Sequence, residues 1–155
     1  MTDFPDGRGA DHSAPHPVPP RASIDYLIVG HVTRDVVPGG FVLGGTVTYA
    51  GLAAQRLDRR VGIVTSADPL LDLASSLPGF AIACRAASAT TTFVNEYLLT
   101  GRRQTVLAVA APLRPADVPG AWRNTEVVHL GPLAHEFGPE MVHFFRGCPG
   151  VRVLG

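Results

Sequence analysis

The first polar residues that could take part in binding or catalysis follow an apolar run, 24–30, which ends in glycine. They form the segment His31-Val32-Thr33-Arg34-Asp35. In open α/β sheets, ligands bind beyond the carboxyl ends of the strands, so these side chains would stand where a ligand lies. Asp35 can accept hydrogen bonds from two hydroxyl groups, which suits a polyol ligand. The alternative is that Asp35 only caps a turn.

A second candidate is Gly44-Gly45-Thr46, immediately before a helical pattern at 46–57. Paired glycines allow the backbone to approach a ligand closely, and the first turn of a helix offers free N–H groups. An ordinary turn would have the same sequence, so this motif gains meaning only beside the Asp35 segment.

Other chemistries find less support. His129 and His135 flank a predicted strand end and could line a site, although a structural role is the favoured interpretation. Neither cysteine, Cys84 or Cys148, lies in a cluster with metal-ligand spacing. No Gly-x-Gly-x-x-Gly follows the first strand and no Gly-x-Ser-x-Gly occurs, which disfavours dinucleotide-binding dehydrogenases and serine hydrolases.

The elements that would position these residues alternate between strands and helices. Such alternation predicts a parallel sheet with helices on both faces. Near-continuous apolar runs, typical of strands buried on both faces, predict five strands. Three helices are predicted from helical patterns. Asp68 is the expected N-cap of the second helix, and Gly147 is expected to end the third. The predicted strands are 24–30, 60–65, 80–84, 126–131 and 151–154, and the predicted helices are 46–57, 69–76 and 139–145.

Two regions interrupt this rhythm. Residues 90–99 and 104–109 predict a β-hairpin around Thr100-Gly101, and 36–37 with 41–43 predict a shorter extended pair. We therefore expect an antiparallel subdomain that covers a ligand site and excludes water.

Composition limits the partners. The 155 residues are 46% hydrophobic and 17% charged, with 13 basic and 13 acidic residues. A net charge near zero predicts no nucleic-acid partner, and no apolar run is long enough to span a membrane. Residues 1–22, rich in Pro, Gly, Asp and His, are predicted to be a disordered tail. Without a signal peptide or a disulfide framework, a reducing, cytoplasmic location is expected.

From about Ile24 to Gly155 the chain resembles the ribokinase-like, or PfkB, family of carbohydrate and nucleoside kinases. The resemblance rests on the Asp35 segment, Gly44-Gly45, the Thr-rich segment 89–93, the Thr-Gly-Arg-Arg turn at 100–103 and the segment 128–132. It implies a Rossmann-like three-layer α/β/α parallel sheet with a small β-sheet lid at about 33–43 and 89–110. It also implies a sugar or nucleoside substrate, with ATP and Mg²⁺ in the full-length family. The substrate-binding residues it implies are Thr33, Asp35, Gly44, Gly45, Thr46, Thr92 and Asn95.

The sequence also departs from the family. Thr33 and Tyr49 stand where the family often has Asn, and no Gly-x-Gly-Asp is present. In the family that motif supplies the general base and an anion hole, and phosphoryl transfer needs both. We therefore expect residues 23–155 to be an amino-terminal half with no catalytic residue, no metal site and no bound ATP or Mg²⁺. The alternative is a non-catalytic ligand-binding or oligomerisation module, with a homodimer formed through the lid.

Overall fold

A computed structural model describes residues 23–155, so the predicted tail at 1–22 lies outside the described residues. Within residues 23–155 the chain forms nine strands and three helices. The strands are β1 Tyr26–Val29, β2 Thr33–Val37, β3 Gly40–Gly44, β4 Val61–Ala67, β5 Ala81–Ala86, β6 Thr91–Leu98, β7 Gly101–Ala108, β8 Val127–Leu130 and β9 Arg152–Leu154. The helices are α1 Thr46–Arg56, α2 Leu73–Ser76 and α3 Pro139–Arg146, and short 3-10 turns lie at Pro115–Asp117 and Gly120–Trp122.

Five strands form the core sheet in the order β5-β4-β1-β8-β9, and every neighbouring pair is parallel. Side chains of β1 alternate between its two faces, as in any strand. Leu27 and Val29 pack with Met141 and Phe145 of α3, whereas Ile28 packs with the α1 and α2 side of the sheet. The predicted parallel α/β core with helices on both faces is therefore confirmed.

The lid is a separate four-stranded sheet in the order β3-β2-β6-β7. Its hairpins β2–β3 and β6–β7 are antiparallel as predicted, but the central pair β2–β6 is parallel. The expectation of a purely antiparallel subdomain is wrong because both strands start at the same edge of the core. Thr33 begins β2 and Thr91 begins β6, and the two residues are register partners. Both strands run outward from that edge.

Two local predictions also need correction. The helix predicted at 69–76 is shorter in the structure, where it is α2 and begins at Leu73. It begins there because Asp72 is its N-cap and accepts from the Ser75 N–H at 3.1 Å. Asp68 instead accepts from the Leu70 N–H at 2.9 Å and stabilises a turn. Leu57, the last residue of the helix predicted at 46–57, is the C-cap of α1 and is 73% exposed, because the helix ends one residue earlier. None of the helices in residues 23–155 has the length and apolarity to cross a membrane.

Candidate functional site

A cavity of about 460 Å³ lies between the start of α1 and the lid. Thr33 and Asp35 of β2 line one wall, and Gly45 and Thr46 at the start of α1 line another. The structure thus brings together four of the seven residues that the resemblance implies. They meet because β2 leaves the end of β1 while β3 returns directly to α1, so 14 residues of chain enclose one corner.

Asp35 is held by its neighbours on the lid strands. The Thr33 hydroxyl donates to its Oδ1 at 3.2 Å, which leaves Oδ2 without a partner among the described residues. Gly44, opposite Thr33 in the ladder, explains how the carboxylate fits. A Cβ at Gly44 would lie 2.5 Å from Asp35 Oδ2 and 2.7 Å from Thr33 Oγ1, so any larger residue would displace the carboxylate. Gly44 therefore makes room for Asp35.

Gly45 is the N-cap of α1 and has φ 91° and ψ 157°, a backbone conformation that is essentially reserved for glycine. A Cβ there would also lie 2.6 Å from the carbonyl oxygen of His31. No side chain caps the helix, and the N–H groups that precede Thr48 are available to a ligand oxygen beside Thr46, whereas the Thr48 N–H donates to the Gly45 carbonyl at 3.2 Å. This corner therefore combines a carboxylate acceptor with backbone donors.

The lid supplies residues that sequence reasoning missed. Phe93 of β6 and Arg102 and Gln104 of β7 line the cavity, as do Tyr49 of α1 and Leu133 of the β8–α3 loop. These residue types alone do not indicate a binding site in the sequence, because the residues come together only through the pairing of distant strands. The alternation of Arg102 and Gln104 along one strand face is the one cue that the sequence offered.

Three predicted residues do not line the cavity: Gly44, which lies behind the Asp35 carboxylate, and the lid residues Thr92 and Asn95. Thr92 pairs with Arg34, which alternates with Asp35, and its hydroxyl donates to the Thr90 carbonyl at 2.8 Å. Asn95 Oδ1 is occupied by lid donors: Arg102 Nε at 3.1 Å and Nη2 at 2.7 Å, and Gln104 Nε2 at 3.0 Å. Asn95 thus orients cavity-lining side chains, and Thr92 is part of the lid backbone network.

A buried network beneath the cavity joins the lid to the core. His31 Nε2 lies 3.0 Å from the Ala111 carbonyl, which can only accept, so this nitrogen carries the proton. The Thr91 hydroxyl consequently donates to Nδ1 at 2.7 Å, and it accepts from the Ala110 N–H at 3.0 Å. Desolvation lowers the pKa of His31, which a nearby Glu136 charge partly offsets. His31 is therefore a neutral anchor for the start of β6.

Glu136, a residue that the sequence did not single out, is 1% exposed and clamps the loop after β8. Its carboxylate accepts from the backbone N–H groups of His31 at 3.0 Å, Leu133 at 2.9 Å and Ala134 at 2.7 Å. Desolvation alone would raise the pKa of this carboxyl, but the backbone donors together outweigh it, so the pKa is lowered. The clamp fixes Leu133 against the cavity.

The two histidines considered for the site have other surroundings. His129 Nδ1 lies 3.0 Å from the Tyr26 hydroxyl across the core sheet, and desolvation lowers its pKa. His135 has a positive φ of 55° in the loop after β8 and does not line the cavity. No group of three or more His, Cys, Asp or Glu side chains within residues 23–155 is arranged to hold a metal ion.

Comparison with known proteins gives structural but no sequence-level matches. No protein-family model matches the chain, and no curated protein does so. A pyrophosphate-dependent kinase in the ribokinase family, solved as a sulfate complex, has a TM-score of 0.67 at 24% identity over 83% of this chain and 48% of its own. A pyrophosphate-dependent kinase of that family in complex with a pyrophosphate analogue and myo-inositol gives 0.63 at 24% identity, over 78% and 45%.

A ribokinase from Arabidopsis thaliana, complexed with ribose and ATP, gives a TM-score of 0.62 at 15% identity, over 85% of this chain and 53% of its own. The chain thus spans about half the length of the kinases that it matches. At these identities the likeness establishes the fold. Residues 23–155 have the ribokinase-like α/β fold.

Proposed function

We propose that the cavity binds a small polyol, a sugar or the sugar of a nucleoside, and that the chain is the acceptor-binding part of a PfkB-type carbohydrate kinase. The observation that carries this proposal is the convergence of Asp35, Thr33 and the uncapped start of α1 on one lid-covered cavity. A kinase acceptor is a hydroxyl group, and its recognition needs strong acceptors and donors at fixed positions.

Each residue has a defined task in this proposal. Asp35 accepts hydrogen bonds from two substrate hydroxyls, while Thr33 fixes its orientation through Oδ1. The N–H groups beside Gly45 and Thr46 donate to a third substrate oxygen. Phe93 provides an apolar surface for the ring carbons, and closure of the lid would exclude water that competes for phosphoryl transfer.

ATP and Mg²⁺ belong to the proposal for a whole kinase. The residues described do not fit Mg²⁺, because the cavity contributes the single carboxylate Asp35 and no suitable cluster of metal ligands occurs within residues 23–155. Two of the matched kinases depend on pyrophosphate and one was solved with ATP, so both phosphoryl donors belong in the test of the whole kinase.

The test is calorimetric titration of the 155-residue chain with ribose, myo-inositol and adenosine. Asp35→Asn should weaken the binding of the preferred polyol by at least tenfold, because a hydrogen bond to a charged group contributes roughly 1.5–3 kcal/mol. The matched control is Asp58→Asn, at the far end of α1, where the positive φ of 58° suits Asn. Equal affinity of both variants for every polyol would refute the proposed site.

A second candidate function, lid-mediated dimerisation, is favoured by one observation. Phe41 and Val36 are register partners on the lid face opposite Asp35, and they are 45% and 41% exposed. Val94 continues this row on β6. We propose that the row packs against a second copy. Sedimentation of Phe41→Lys beside the unchanged chain tests this, since loss of a concentration-dependent dimer is expected and an unchanged distribution would contradict it.

We also propose a reducing, cytoplasmic location. It is supported by the free thiols of Cys84, which is exposed, and Cys148, which is partly buried. Fractionation of the producing cells checks this location, and recovery of the chain from an oxidising compartment would contradict it.

A further inference from the structure

The lid carries two adjacent arginines that face opposite ways. Arg103 Nη1 lies 3.7 Å from Glu96 Oε2, its register partner on β6. Arg102 is on the alternate face and lines the cavity. Among residues 23–155, no carboxylate lies within ion-pair distance of Arg102. One arginine is therefore paired on the outside of the lid, and the other is a cation directed to the cavity.

The guanidinium of Arg102 is held in place without being neutralised. Asn95 Oδ1 accepts from both its Nε and its Nη2, at 3.1 and 2.7 Å. Those contacts use one edge of the planar group and leave Nη1, with the second hydrogen of Nη2, for another acceptor. Gln104 Nε2 donates to the same Asn95 oxygen at 3.0 Å, so both side chains are presented side by side. An oriented fork of this kind matches an oxyanion.

The cavity is consequently divided by charge. Asp35 on one wall suits hydroxyl groups and repels anions, whereas Arg102 on the lid suits an anion. A neutral sugar would satisfy the first wall and leave the guanidinium without a charged partner. A ligand with both features would satisfy each wall at once.

We propose that the preferred acceptor is a polyol that carries an oxyanion group, phosphate or carboxylate, bound by Arg102 and Gln104 while its hydroxyls bind Asp35. This inference rests on the proposed function, since it names the substrate class of the same cavity. Asn95 is a positioning residue in this arrangement, and Arg102 determines the specificity.

The experiment compares matched neutral and anionic probes by calorimetry on the full 155-residue chain. Ribose is paired with ribose 5-phosphate, and glucose is paired with gluconate, so that the phosphate and carboxylate sources are distinguished. In at least one pair the anionic probe should bind ~10-fold or more tightly than its neutral partner, with a preference that decreases at high salt. Arg102→Met should remove this preference by weakening the anionic probe far more than the neutral one, and Arg102→Lys should restore part of it.

Arg103→Met is the matched control, because it removes the neighbouring charge from the opposite lid face and should preserve the preference. An anionic preference that survives Arg102→Met overturns the inference, and so does equal loss of neutral and anionic binding in that variant. If Asp35→Asn weakens both probes while Arg102→Met alters neither, the proposed function stands and the anionic substrate class falls. If no probe binds the unchanged chain at millimolar concentration, both fall.

Discussion

Glu136→Gln probes the buried clamp beneath the cavity. The carboxylate receives three backbone N–H donors from His31, Leu133 and Ala134, and Gln keeps only one acceptor oxygen. In either orientation of the amide, its NH₂ group faces at least one buried N–H, which is then left without an acceptor. An unsatisfied buried donor costs about 1–3 kcal/mol, and charge assistance is lost as well, so we expect destabilisation by about 2–3 kcal/mol.

The assay is urea denaturation at pH 7 and a fixed protein concentration, followed by circular dichroism. In a thermal melt the same loss corresponds to a decrease of roughly 10 °C in Tm for a domain of this size. Glu140→Gln is the matched control, because that carboxylate also accepts a backbone N–H, from Gly138 at 3.0 Å, but is exposed to water. We expect a much smaller change there.

The pH dependence of the two chains supplies an independent check. Because the folded-state pKa of Glu136 is lowered, its contribution to stability is complete above the ordinary carboxyl pKa of about 4.3 and is lost as the pH falls through the folded pKa. The difference between the unchanged chain and Glu136→Gln should therefore shrink in acid. Equal stability of the two chains at pH 7, or a difference that grows in acid, would refute the clamp.

Four further outcomes follow from the structure. Gly45→Ala should destabilise the chain by about 1–3 kcal/mol, because φ 91° and ψ 157° suit only glycine. Gly120→Ala, where a Cβ would meet nothing within 4 Å, is its control, and equal effects would contradict the argument. Stability should decrease from pH 7 to pH 5, because desolvation lowers the pKa of His31 and the unfolded chain takes up the proton first. His31→Gln should flatten that slope, and an unchanged slope would count against the network. The 155-residue chain, given ATP or pyrophosphate, should bind a polyol without phosphorylating it, since it contains no Gly-x-Gly-Asp; turnover above a mock purification would disprove this. Sedimentation should show association through β9, an edge strand with Leu154 48% exposed, whereas a monodisperse monomer that binds no apolar dye would exclude it.

The core could be predicted because its signals are local. A strand buried on both faces must be apolar throughout, and Leu27, Ile28 and Val29 are all fully buried. Boundaries were less accurate where two residues compete for one role. Asp68 and Asp72 both precede helix-compatible sequence, and only the hydrogen bond from Ser75 to Asp72 decides which one caps. The parallel pairing of β2 with β6 joins residues nearly 60 positions apart, and no local pattern encodes it.

The residues of the cavity also divide into those with a local sequence pattern and those that depend on the pairing of distant elements. Thr33, Asp35, Gly45 and Thr46 lie within 14 residues, so one strand end and one helix start sufficed to place them together. Arg102, Gln104 and Leu133 reach the cavity from other elements, and their contribution depends on how the lid strands are paired. Asn95 was predicted to bind the substrate, but it does not line the cavity, and its oxygen accepts from Arg102 and Gln104.

The register of the β6–β7 hairpin decides which arginine faces the cavity. Leu98 pairs with Gly101 around a two-residue turn, and this pairing places Arg102 opposite Tyr97 and Arg103 opposite Glu96. Side chains alternate along a strand, so a slip of one residue would exchange the two arginines between the faces. Arg103 would then face the cavity, and Arg102 would lie opposite Glu96. The arginine that takes part in the proposed anion recognition is thus selected by the length of a turn at the outer end of the lid. The sequence Thr100-Gly101 predicted a hairpin there but could not show which arginine it turned inward.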